Sequence, residues 1–133
     1  MTGAAAGAGS TVVSIASGPL VGPVLRRVVG MLAARADLPL DRLDDAVLVA
    51  DLVAARAPSH SPEDAIQVEL GCESRTLDLK IGPLRPGGRQ ALIADASVPG
   101  VGNVIEQLAD DLHIDTEDGS EYLHVRLAWA SAD

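Results

Sequence analysis

Phenylalanine is absent from this 133-residue chain, and Tyr122 and Trp129 are its only aromatic residues. An aromatic cage for a cationic ligand, or a platform for stacked bases, needs several such rings, so both are close to excluded. A single cysteine, Cys72, permits no internal disulfide and fits a reducing compartment. Positive charge is scarce. Ten Lys and Arg stand against 19 Asp and Glu, a net charge of -9, and the isoelectric point lies near 4.6. Capture of nucleic-acid phosphates or anionic lipid depends on clustered positive charge, and this balance argues against both. No apolar run reaches the roughly 18–20 residues that a membrane span requires. The first ten residues, rich in Gly and Ala, lack the positively charged start of a signal peptide. Residues 1–10 read as a flexible leader, residues 11–133 as one domain, and the expected location is the cytoplasm.

What is present suffices for a core. Hydrophobic residues make up 47% of the chain, and the mean hydropathy of +0.22 argues against disorder. That core must be built from Ala, Val, Leu and Ile. The β-branched run Thr11–Ile15 predicts a strand. From Leu20 to Ala36, Val21, Val24, Leu25, Val28 and Leu32 recur at three- and four-residue steps, which predicts an amphipathic helix. Asp41 is the expected N-cap of a second helix that runs to about Ala57 and stops before Pro58. Its segment Ala46–Ala55 is so apolar that most of its circumference is expected to be buried.

Ile66, Val68, Leu70 and Cys72 alternate with polar positions, as do Leu77, Leu79 and Ile81; joined by Glu73-Ser74-Arg75, they predict an antiparallel hairpin. Gly82–Arg89 is expected to be irregular, and Arg89–Ala96 a short helix. Pro99–Asn103 forms a glycine loop ahead of a helix with Val104, Ile105, Leu108 and Leu112 on one face. Strands at His113–Thr116 and Tyr122–Trp129 flank a Glu117-Asp118-Gly119-Ser120 turn. The fold class expected from this order is α+β, a two-layer sandwich with helices on one face of a mostly antiparallel sheet.

Few residues offer chemistry. His60, His113 and His124 stand at no zinc-ligand spacing with one another or with Cys72, so no metal site is expected. Cys72 lies in a strand pattern and is expected in the core. Asp51 interrupts an apolar helix, where an ionised carboxylate is costly to bury without partners. It is either a site carboxylate, binding a metal-nucleotide or polarising water, or a rim residue paired with Arg56 or water. Gly100-Val101-Gly102 ahead of a helix offers backbone N–H groups to a phosphate, or is simply a tight turn. Asp110 and Asp111 read as a solvated helix face, and Arg85 and Arg89 as residues of a solvent loop.

In their order, these segments resemble the Bergerat-type ATPase domain of the GHKL group, in particular the small anti-sigma-factor serine kinases of bacterial partner-switching systems. The resemblance spans roughly Thr11–Leu127. It rests on Val24-Leu25-Arg26-Arg27, on Leu38–Asp51, on Gly100–Asp110 and on Asp118-Gly119-Ser120 before the last strand. It implies that Asp51 stands where the family has its catalytic Glu, and Ala55 where it has the magnesium-binding Asn. Gly82 stands where the family's adenine-reading Asp is found. Gly100 and Gly102 correspond to the glycines near the phosphates, and Ser120 to the Thr beside the adenine; with Asn103 they make up a vestigial ATP site. Two anchors in separate motifs are thus lost, which implies a regulatory protein-binding domain without ATP hydrolysis or kinase activity and with no cofactor. The implied partner is a sigma factor, an antagonist protein or a second copy in a homodimer, with no nucleic acid or membrane. The alternative is an active ATP-dependent serine kinase that binds Mg-ATP and uses Asp51 as base. A third reading is an α+β domain whose likeness to the family is coincidental.

Overall fold

The computed structural model describes residues 10–73, 75–95, 97–98 and 102–129. Strand β1 (Ser10–Ala16) leads into helices α1 (Val21–Ala36) and α2 (Leu40–Arg56) and a single 3-10 turn (Ala57–His60). The hairpin β2 (Ala65–Glu73) and β3 (Thr76–Leu84) follows, then α3 (Gly88–Asp95) and a two-stranded ribbon, β4 (Ser97–Val98) with β5 (Gly102–Asn103). Helix α4 (Val104–Leu108) and the hairpin β6 (Asp111–Glu117) and β7 (Ser120–Ala128) complete the chain order. The fold is α+β. Its main sheet is open and five-stranded, in the order β1-β2-β3-β7-β6, with every neighbouring pair antiparallel. The arrangement is compatible with a two-layer sandwich.

Period-two alternation decides what each sheet face carries. Ile66, Val68, Leu70, Leu77, Leu79, Ile81, Leu123, Val125 and Leu127 are buried against the helices. The intervening Glu69, Asp78, Lys80, His124 and Arg126 fall on the opposite face. Helix α1 contributes Val21, Leu25, Val28, Val29, Leu32 and Ala33, one stripe at helical spacing. It ends where Asp37 adopts a left-handed conformation (φ 54°) and the N–H groups of Asp37 and Leu38 both reach the Ala33 carbonyl.

Several sequence expectations are corrected. Helix α2 begins at Leu40 with Pro39 in the N-cap position, and Asp41 lies inside the first turn without a side-chain cap bond. An acidic residue there still complements the helix dipole. Helix α2 buries only the stripe Ala46, Val49, Ala50, Val53 and Ala54, whereas Leu48 and Ala55 are exposed. As expected, α2 stops before Pro58, its last residue being Arg56; Pro58 sits early in the 3-10 turn that follows, where its missing N–H is harmless.

Strand β3 continues through Gly82 and Pro83 to Leu84, with a register shift against β7 between Ile81 and Leu84. A bulge accommodates a Gly-Pro pair that ordinary pairing would not. Helix α4 stops at Leu108, so Leu112 belongs to β6. The reason is tertiary: the Asp110 N–H bonds the Arg126 carbonyl at 2.8 Å, and the Asp110 carboxylate accepts from the Ala128 N–H at 2.7 Å. These bonds draw the chain into the sheet before a further helical turn can form.

Candidate functional site

Asp51 lies on the face of α2 that meets α1. Arg26, on α1, reaches it with Nη2 at 2.7 Å and Nε at 3.3 Å, so that both carboxylate oxygens are held. This is the partner that the apolar helix pattern left open. Arg56 is not that partner: its Nε donates to the Asp95 carbonyl at 2.6 Å. The pair remains wet, with side chains 62% and 35% exposed for Arg26 and Asp51. Around it lie two adjoining open depressions of about 440 and 400 Å³. Gly22, Pro23, Arg26 and Arg27 line the first with Asp51, and Gly18, Pro19, Ala54, Ala55 and Pro58 help line the second. Gly102, Asn103 and Ser120 line neither. Ala55 presents a methyl group one turn beyond Asp51 and offers no metal ligand.

Gly82 sits on β3 under the ring of Tyr122. A Cβ built on Gly82 would lie 2.5 Å from Tyr122 Cδ2 and 2.9 Å from the Glu121 carbonyl oxygen. No carboxylate-bearing side chain fits there while Tyr122 keeps its place. Of the remaining vestigial-site residues, Gly100 lies outside the described residues and Gly102 belongs to β5. Asn103 is fully engaged by the fold. Its Oδ1 accepts from the Glu106 N–H at 3.0 Å, capping α4, and its Nδ2 donates to the Ile93 carbonyl. Ser120 opens β7 opposite Glu117.

The segment around Arg85 and Arg89 is fastened rather than loose. The Arg85 N–H bonds the His60 carbonyl at 2.8 Å, and its Nη1 the Ser59 carbonyl at 3.1 Å. The Glu121 carboxylate accepts from the backbone N–H groups of Gly87 and Arg89 at 2.9 and 3.3 Å. Asp110, expected on a solvated helix face, instead receives Arg42 Nη2 as well as the Ala128 N–H. Arg42 also donates to Asp45 at 2.7 Å and to the Ala128 carbonyl at 3.0 Å, joining α2 to the end of β7. Cys72 is only half-buried, its Sγ 3.9 Å from the Leu32 carbonyl; burial, and secondarily Asp78, push its thiol pKa up.

The densest polar constellation was not found from linear spacing. On the outer sheet face, His113 of β6 stands directly opposite His124 of β7, their ring nitrogens 2.8 Å apart and ring centroids 4.3 Å apart. Asp111 and Asp115 flank His113, with oxygens 3.1 and 3.8 Å from its ring nitrogens. Asp78 of β3 approaches His124 at 3.3 Å and is bound by Arg126 at 2.8 Å. Lys80 donates to Glu117 at 2.6 Å, which, despite the opposing desolvation, raises its pKa. Its Nζ is 3.7 Å from Asp115 and 5.2 Å from the centre of the Tyr122 ring, and burial raises the Tyr122 phenol. The signal was present in the sequence: counting back along both strands from the Asp118-Gly119 turn sets His113 against His124.

No protein-family model matches the chain, and no curated protein matches it either.

Proposed function

We propose that the chain is a regulatory protein-binding domain of the anti-sigma-kinase-like, Bergerat type, in which the chemistry of ATP has been given up. The observation that carries the reading is the environment of Gly82. Where the family resemblance calls for the adenine-reading carboxylate, the space beside the backbone is filled by Tyr122 and the Glu121 carbonyl. Two further features support it. Asp51, the counterpart of the catalytic carboxylate, has both oxygens occupied by Arg26, and Ala55 has no oxygen for magnesium. The element order, a strand, two helices, a hairpin, a short helix, a two-stranded ribbon, a short helix and a closing hairpin, is consistent with the reading.

The partner in this reading is a sigma factor, an antagonist protein or a second copy of the chain.

The test is a thermal melt of the purified protein with and without Mg-ATP. A nucleotide bound only to the folded state at a hundredfold excess over its Kd adds about 2.7 kcal/mol, roughly 8–13 °C for a chain of this size. The expected result is an unchanged melt. A clear magnesium-dependent shift, accompanied by phosphorylation of a serine on a co-purified protein, overturns the reading in favour of an active kinase.

A further inference from the structure

We propose that His113, His124 and Asp115 form a binding site for one divalent transition-metal ion on the outer face of the sheet. The argument begins with hydrogens. Asp111, His113, His124 and Asp78 make an unbroken row, with contacts of 3.1 Å (Asp111 Oδ2 to His113 Nδ1), 2.8 Å (His113 Nε2 to His124 Nδ1) and 3.3 Å (His124 Nε2 to Asp78 Oδ1). Ionised carboxylates only accept, so the Asp111 contact places the ring hydrogen of His113 on its outer nitrogen. With the hydrogen of His124 likewise on its outer nitrogen, the lone pairs of His113 Nε2 and His124 Nδ1 converge at the centre of the row, where one metal ion can accept both.

The surroundings favour the metal. Each outer ring nitrogen faces a carboxylate, Asp111 within hydrogen-bond distance of His113 and Asp78 3.3 Å from His124; a carboxylate partner of this kind orients metal-bound histidines. The third donor is Asp115, whose ligand atom lies within 4.8 Å of both imidazole donors. Its present ionic partner, the Lys80 ammonium at 3.7 Å, is already satisfied by Glu117 at 2.6 Å, so turning Asp115 inward strands no charge. His113 and Asp115 are 45% and 40% exposed, which leaves an entry path.

Nitrogens 2.8 Å apart share one ion at metal–nitrogen bonds of about 2.0–2.1 Å once both rings turn to aim their lone pairs off the line between them. Two imidazoles and a carboxylate suit Ni²⁺, Cu²⁺ or Zn²⁺. Water completes the sphere. Among the described residues, Arg126, bound to Asp78, and Lys80 face the cluster, and both are held by carboxylates.

The experiment is calorimetric titration of the untagged, EDTA-treated full chain with Ni²⁺. One ion per chain is expected, with affinity reduced at least tenfold in His113→Ala and in His124→Ala and several-fold in Asp115→Asn. His60→Ala, which removes an imidazole paired with Asp95 on other elements, leaves binding unchanged. Circular dichroism verifies that each variant is folded. A reading free of variants comes from NMR of the wild-type histidine rings, in which Ni²⁺ should broaden the His113 and His124 signals and spare His60. Absence of binding up to millimolar Ni²⁺, wild-type affinity in both histidine variants, or equal broadening of all three rings overturns the proposal.

Discussion

Replacing Gly82 by alanine sets two opposed effects against each other, and the structure decides the sign. Removing a glycine where an L-residue fits stabilises by about 0.4–1 kcal/mol, because the unfolded chain has fewer states to lose. At Gly82, however, the new methyl carbon meets Tyr122 Cδ2 at 2.5 Å, Tyr122 Cε2 at 2.9 Å and the Glu121 carbonyl oxygen at 2.9 Å. The ring can rotate away only by giving up its packing, and the carbonyl belongs to a paired strand. Overpacking of this kind costs about 1–3 kcal/mol. The net expectation is a loss of about 1.3 kcal/mol, seen as a lower urea midpoint and a melting temperature reduced by roughly 4–6 °C. The same substitution in a Tyr122→Ala background removes two of the three close contacts, so it should cost less there by about 1 kcal/mol or more. A neutral or stabilising Gly82→Ala, or an equal cost in both backgrounds, refutes the account of how Tyr122 fills this place. It would also remove the main support for a lost adenine site.

Other perturbations separate strong ties from weak ones. Arg42, partly buried and shared among Asp45, Asp110 and the Ala128 carbonyl, should cost about 1–3 kcal/mol when changed to alanine, measured by urea unfolding. The exposed Arg26–Asp51 pair should be far weaker, with a coupling below about 1 kcal/mol in a double-mutant cycle; a larger value would give Asp51 a structural importance its exposure does not predict. Stability should also fall in alkali. Cys72 and Tyr122 are raised from 9.0 and 10.0 chiefly by burial, and Lys80 from 10.5 chiefly by its bond to Glu117. A raised value means the folded state holds its proton longer than the unfolded chain, so each contribution is intact below the unfolded value and is lost as pH rises beyond it. The urea midpoint should begin to decline near pH 9 and fall further above 10.5, and Lys80→Met should flatten the upper part of that decline.

The secondary structure was largely legible because its signals are local. Val21, Leu25, Val28 and Leu32 mark α1 by spacing alone, and the alternation around Ile66–Cys72 and Leu77–Ile81 marks the β2–β3 hairpin. The errors occur where distant contacts override local preference. Leu112 continues the apolar face of a helix in sequence, yet Asp110 is taken up by Arg126, Ala128 and Arg42, and α4 ends a turn early. Gly82-Pro83 looks like a break, yet a bulge against β7 lets the strand continue.

Local patterns along the chain are enough to specify the composition of the core, the α+β order of elements and the Asp118-Gly119 turn, since each depends on neighbours within a few residues. The tertiary contacts settle the chemistry of particular side chains: that Asp51 belongs to Arg26 and not Arg56, that Gly82 lies under Tyr122, and that Asp78 of β3 comes up beside the His113–His124 pair. Charge pairing and ligand geometry depend on distances of a few ångströms between elements far apart in the chain, and no local pattern encodes those distances.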